Sequence, residues 1–359
     1  MRSRRLWALT LTAVLGAVAV PGTAAAPAPR ADVVLVSAFH AGGPIRGAAV
    51  HDNYLYVSTP DRLTIWDLTD PDSPETASTA VSPRLIHGEL LSTNGELLLL
   101  NEETISGFRT VDVWDVEDKT NPKLVGSIPS TPDEHVSCIL DCKWAYGSEG
   151  SILDLRDASA PVKRDENWLE LAGVKGLNIH RVDEYRNGFV VTAPRGWAPM
   201  TVDVRDPLHP RLKRQTGLPV TAKPGFLFSD LSPAGNRYLF TSTEFPDGSG
   251  CEEPHDGALL AFDMRQPRAP IASKFSVDSA EGCTGFYFSF HPDFENTGLI
   301  ALPQSLAGVR IVKFKPGRMQ EMGSFVPAVA DMWLTFWIDE EFFYALSESG
   351  EIYILRYVP

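Results

Sequence analysis

Three side chains that can present directional polar groups, Arg46, His87 and His135, each stand six residues before a short polar turn, at Asp52, Thr93 and Asp141. Trp333 stands six before Asp339, and Phe226 and Phe286 fall at about the same height in segments of similar pattern. Taken as equivalent positions, they give a common opening with a cation and two imidazoles on one arc and three aromatic faces on the other. Polar groups set against an apolar wall are what small-molecule sites are usually made of. Other chemistries are poorly supplied. There is no G-x-S-x-G, no H-E-x-x-H and no glycine-rich phosphate loop. The five acids between Glu244 and Asp256 have the charge for calcium, but they lack alternating ligand spacing and a terminal bidentate glutamate. That stretch reads as a solvated acidic loop.

The four cysteines are Cys138, Cys142, Cys251 and Cys283. An even number in an exported chain favours disulfides. Of the three pairings, Cys138 with Cys142 across a tight turn and Cys251 with Cys283 across a strand pair is the expected one. A Cys/His metal site is the weaker reading, because neither C-x-x-C pairs nor suitably spaced histidines occur. No cofactor is indicated.

These residues must be positioned by strands. Asn53 to Pro74 reads as two short strands rich in aromatic and β-branched residues, stopped by Asp70-Pro71 and Ser73-Pro74. The second of them returns, with decay, as Val113-Trp114-Asp115-Val116, Ile152-Leu153-Asp154-Leu155, Thr201-Val202-Asp203-Val204 and Ala261-Phe262-Asp263-Met264. Two further copies carry Lys313 and Arg356 where aspartate is expected. Seven strand-only units at this spacing predict an all-β, seven-bladed β-propeller with four strands per blade. No segment reads as an amphipathic helix. The recurring aspartate sits at a strand end before a proline turn, where its simplest use is to accept turn N–H bonds rather than to form a ring of carboxylates.

The run Asp67-Leu68-Thr69-Asp70-Pro71-Asp72-Ser73-Pro74, with its copies at Asp203 to Pro210 and Asp154 to Asp157, resembles the LVIVD-repeat proteins of secreted bacterial propellers. That resemblance implies a propeller and, for most members, no established activity. Trp66-Asp67 and Trp114-Asp115 are also similar to WD40 repeats, but the Gly-His that opens such repeats is missing.

The last unit has three strands and then the chain stops, whereas Asp32 to Phe39 has the look of an outer strand with no blade of its own. The amino-terminal strand is therefore expected to complete the last blade and cover its open edge. Ahead of it, Arg2, Arg4 and Arg5, an apolar run from Leu6 to Val20 and a small-residue stretch ending at Ala26 read as a signal peptide, residues 1–26, leaving a single propeller domain over 27–359. Losing three arginines moves the formal net charge from −14 to −17. Such a surface repels nucleic acid and anionic lipid. The functional expectation is a secreted, monomeric, non-catalytic binding protein that takes a small molecule, glycan or protein through its loop face. The alternative, by analogy of fold, is a metal-dependent hydrolase or dehydrogenase with its site at the channel mouth.

Overall fold

The computed structural model describes residues 32–359, apart from 84–90, 104–108, 134, 175–178, 187, 195–198, 216–225, 232–236, 245–256, 267–269, 278–284 and 329–330. Its strands form seven four-stranded antiparallel sheets. Six are contiguous in sequence. Blade 1, for instance, runs Gly47–His51, Tyr54–Thr59, Arg62–Asp67 and Glu75–Val81 from the axis outward. The seventh takes Met332–Trp337, Phe342–Ser347 and Glu351–Val358 from the end of the chain and Asp32–His40 from its beginning. The amino-terminal strand thus closes the ring as the sequence predicts.

Period-two alternation explains how one strand serves two neighbours. In blade 1, Leu55 and Val57 pack with Tyr344 and Leu346 of blade 7, while Tyr56 between them packs with Leu98 and Leu100 of blade 2. Leu99 then turns the other way, to Val136 and Leu153 of blade 3. With both faces covered by adjacent blades, the middle strands are buried along their length, as in Ser151–Asp154 and Met200–Asp203. Outer strands such as Arg211–Gln215 are exposed throughout. Burial therefore falls from the third strand to the rim, and the apolar composition of the repeated strand follows from it.

The recurring aspartates are turn caps. Asp67, Asp115, Asp154, Asp203 and Asp263 each accept the backbone N–H two residues on, at 2.8 to 3.3 Å. In blades 1 to 4 a second aspartate, Asp70, Asp118, Asp157 or Asp206, repeats the same bond further round the turn. Blades 3 to 5 add cations. Arg156 and Arg164 bond Asp154, Arg205 bonds Asp203, and Arg237 bonds Asp263. The Arg156 hydrogen bond, foremost, holds the Asp154 carboxyl down to about 2.

Blades 6 and 7 depart for a visible reason. In blade 6, Lys315 pairs with Arg318 directly across Pro316-Gly317, a two-residue turn in which Gly317 supplies the positive φ of 81°. There is no long turn to cap. In blade 7, Arg356 lies mid-sheet between Phe342 and Val34, and the outer strand arrives from the other end of the chain. Lys313 and Arg356 are therefore released from the duty that fixes aspartate elsewhere.

Two short helices were not anticipated by the sequence reading. Trp168–Leu171 follows the outer strand of blade 3, with Asn167 accepting the Leu169 and Glu170 amides as N-cap. Phe294–Thr297 lies between the first two strands of blade 6. One turn each is too short to leave a helical period in the sequence. Among the described residues no helix is long and apolar enough to cross a membrane.

Cys138 and Cys142 are joined in a disulfide, while Cys251 and Cys283 lie outside the described residues. The Cys138–Cys142 turn places Leu140, Asp141 and Cys142 successively in the left-handed region, at φ 53°, 60° and 50°. Each such residue costs of order 1 kcal/mol or more, so the surroundings must hold the turn in place. Glu184 of blade 4 accepts the Leu140 N–H at 2.7 Å, and Asn94 of blade 2 donates to the Asp141 side chain at 3.0 Å. Burial pushes the Glu184 carboxyl up, against the pull of the Gly188 and Leu140 amides.

Candidate functional site

The loops that lead into the inner strands and those that join second to third strands share one face, and Arg46 and His135 stand on it, each directly ahead of an inner strand. Arg46 immediately precedes the inner strand of blade 1. Its N–H donates to the Ser58 carbonyl at 2.8 Å, and the preceding Ile45 N–H donates to the Glu348 carbonyl of blade 7 at 3.0 Å. With its backbone fixed by both blades, the guanidinium stands 35% exposed, 3.8 Å from the Glu348 carboxylate. An ion pair this open contributes ~1 kcal/mol at most.

Trp333 and Phe286 belong to one apolar cluster with Ile45, the residue before Arg46. The Tyr287 N–H donates to the Trp333 carbonyl at 3.2 Å and the Thr335 N–H to the Tyr287 carbonyl at 3.1 Å, so the innermost segments of blades 6 and 7 are bonded directly to each other. The Ser242 hydroxyl of blade 5 adds a 2.7 Å bond to the Phe286 carbonyl. Trp333 is only 7% exposed and packs with Ala41, Ile45 and Tyr287; Phe286, half-buried, lies against the same cluster. Blades 6, 7 and 1 are thus joined by one apolar cluster.

His135 belongs to a different set. It directly precedes the inner strand of blade 3 (Val136–Ile139), is 5% exposed, and exchanges backbone bonds with Ser148: its N–H donates to the hydroxyl at 3.3 Å and its carbonyl accepts the Ser148 N–H at 2.9 Å. Phe226 opens the inner strand of blade 5, opposite Glu244. His87 lies outside the described residues, as do residues 245–256 of the acidic loop.

Sequence reasoning missed Asp133, two residues before His135. It is fully buried, and its Oδ1 accepts the Glu149 N–H at 2.7 Å and the Ser151 N–H at 3.4 Å from the turn that joins the second and third strands of its own blade. A Cβ at Gly147 would run into this carboxylate, so glycine there is what lets Asp133 in. Asp331 does the same for blade 7, accepting the Ser349 N–H at 3.1 Å. The signal available in the sequence was an aspartate just ahead of two inner strands. Among the described residues no three His, Cys, Asp or Glu gather as metal ligands.

No protein-family model matches this chain. No curated protein matches it either. Solved structures do, 1065 chains of them. One is a chain in the crystal structure of the mitotic checkpoint complex, with a TM-score of 0.64 and 10% sequence identity over 97% of this chain and 99% of that one. The likeness is one of fold. A seven-bladed β-propeller matched end to end carries binding and scaffold surfaces on many unrelated sequences, so function must be argued from this chain's own residues.

Burial raises the Asp133 carboxyl above its ordinary value, against the Ser151 hydroxyl and the Glu149 and Ser151 amides that pull it down. A raised folded pKa means that the native state keeps a proton which the unfolded chain releases, so this group lowers stability as pH rises from about 4, the unfolded value. Asp133→Asn keeps an acceptor for the two amides and cannot ionise. It is expected to flatten that part of the stability profile, measured by denaturant unfolding between pH 4 and 8. Asp133→Ala is expected to destabilise at every pH by about 2–3 kcal/mol, because two enclosed amides lose their acceptor. An unchanged pH slope in Asp133→Asn would remove Asp133 as its source.

Proposed function

We propose that this chain is an exported propeller of the LVIVD-repeat kind that binds a small molecule, glycan or protein at the mouth of its channel, without catalysis. What supports the reading is the Arg46 guanidinium, 35% exposed, on the residue next to Ile45 of the apolar cluster that holds Trp333 and Phe286. A cation at the edge of an aromatic surface recognises a polar or anionic group while the wall takes the apolar remainder. Export is supported by the leader-like residues 1–26 and by the Cys138–Cys142 disulfide, which suits an oxidising compartment. The LVIVD assignment is supported by the recurring aspartate, whose cap is a local device that a repeat can copy.

Screening against a glycan array and a metabolite library is expected to give ligands whose affinity falls at least tenfold in Arg46→Glu, with the melting temperature nearly unchanged. Phe286→Ala should weaken the same ligands. Ligands retained in both variants would place the binding surface elsewhere.

A further inference from the structure

On the face opposite the mouth, the turn between the third and fourth strands of one blade lies back against the blade before it. Tyr146 of blade 3 donates its hydroxyl to the Pro207 carbonyl in the turn of blade 4 at 2.7 Å, and Tyr344 of blade 7 donates to the Pro71 carbonyl in that of blade 1 at 3.0 Å. Ser78 of blade 1 bonds the Lys119 carbonyl of blade 2, and Ser273 of blade 5 the Lys315 carbonyl of blade 6. Between blades 2 and 3, Ala158 and Pro161 come so close to Gly126 that a Cβ there would collide with them. The seam between blades 6 and 7 has no such turn, because the outer strand of blade 7, Asp32–His40, comes from the other end of the chain.

In its place is a cleft of about 700 Å³. Leu299 lines it and pairs with Lys313 as Tyr54 of blade 1 pairs with Asp67. Tyr54 is met by Lys119 from the turn of the next blade, so the position is one that a turn covers. Lys313, in the place of the repeat's aspartate, follows Ile311 on the side of its strand turned to blade 7. From the opposite wall Tyr357 follows Leu355 on the side turned to blade 6. Among the described residues neither the Lys313 ammonium nor the Tyr357 hydroxyl has a partner. Arg356, at the edge of the cleft, is turned to blade 1 along with Ile354. Asp293, Glu340 and Glu341 also line it.

We propose that this cleft receives a peptide turn from a partner protein, a proline-containing turn that brings one aspartate to Lys313 and a neighbouring cation to balance the three acids. The other seams show what the gap is shaped to hold, since five of them are filled by turns of this chain. Charge complementarity gives the sign, because a buried-side lysine without a carboxylate is where a charge-assisted bond is gained. The hydroxyl that pins a turn in blades 3 and 7 is missing from blade 6, where Ala301 pairs with Ile311 as Tyr146 pairs with Ile152 and Tyr344 with Ile354. Tyr357 supplies a donor from the other wall instead. The site shares no residue with the mouth.

Isothermal titration of the full exported chain at low ionic strength tests this. The probe is a cyclised peptide with the sequence of Val204 to Pro210, a turn that carries an arginine beside an Asp-Pro pair; cyclisation removes part of the ordering cost. Saturable binding is expected, weakened roughly tenfold or more by Lys313→Asp, which restores the residue of the other blades. Replacing the aspartate of the peptide by asparagine should cost about as much, and the two changes together little more than either, the sign of a direct contact. Tyr357→Phe, expected to weaken binding severalfold, provides a second reading should Lys313→Asp fail to fold. Arg62→Gln, which removes an exposed cation of blade 1, should change nothing. No saturable binding, an equal loss in Arg62→Gln, or fully additive losses from the two charge changes would overturn the site. A dimer of the chain that Lys313→Asp dissociates, read by sedimentation, would overturn the partner and put a second copy in the cleft.

Discussion

A chain beginning at Gly43 is expected to lose the single cooperative melt of the protein and to aggregate. The strand it lacks, Asp32–His40, pairs at eight positions with Glu351–Val358, with the register shifting between Leu35 and Ser37. That shift is a bulge at Val36, and it turns the strand so that Val33 packs into the core between blades 6 and 7. At the other end Phe39 reaches Trp66 of blade 1, the ring centroids 5.5 Å apart. One strand therefore bonds blade 7 along its outer edge and touches both flanking blades. Without it the strand Glu351–Val358 becomes a bare edge, which templates pairing with other chains. Thermal unfolding and size-exclusion chromatography of the shortened and mature chains make the comparison. Superimposable melts and a single monomer peak in both would show that closure does not depend on this strand.

The ring was legible because its main devices are local. Alternation within a strand, an aspartate two residues before the amide it caps, and proline after it can all be read within one unit. An outer strand with no blade at one end and a blade with no outer strand at the other were enough to pair the termini. The mouth was less legible, because it is made between blades. A tryptophan at the height of Trp333 reads the same whether it faces a ligand or fills the centre. What sets it at 7% exposure is the Tyr287 N–H bond and the Ile45 packing, contributed by blades on either side. Asp133 escaped notice because its partners are backbone amides, which leave no mark in side-chain types.

Those amides belong to a small assembly at the top of blade 3 whose largest member is Trp168, and Trp168→Ala is expected to cost about 3–5 kcal/mol, the range for emptying a tryptophan-sized space in a core. Trp168 is fully buried, stacks on Tyr146 with centroids 4.8 Å apart and planes 9° from parallel, and donates its indole N–H to the Gly147 carbonyl at 2.8 Å. Its own N–H bonds the Gly150 carbonyl. Gly150 holds a φ of 102°, with the Asn167 side chain in the space a Cβ would need. The indole thus braces the turn whose amides cap Asp133, and its removal should also weaken that cap. Trp168→Phe retains the stacked ring but leaves the enclosed Gly147 carbonyl without this donor, so a smaller loss of about 1–3 kcal/mol is expected. Leu171→Ala, in the same helical turn but 42% exposed, should change stability by less than about 0.5 kcal/mol. Equilibrium unfolding in urea of the three variants orders them. A loss in Trp168→Ala no larger than in Leu171→Ala would mean that this turn relaxes around the missing indole, and that the top of blade 3 is held instead by Asp133 alone.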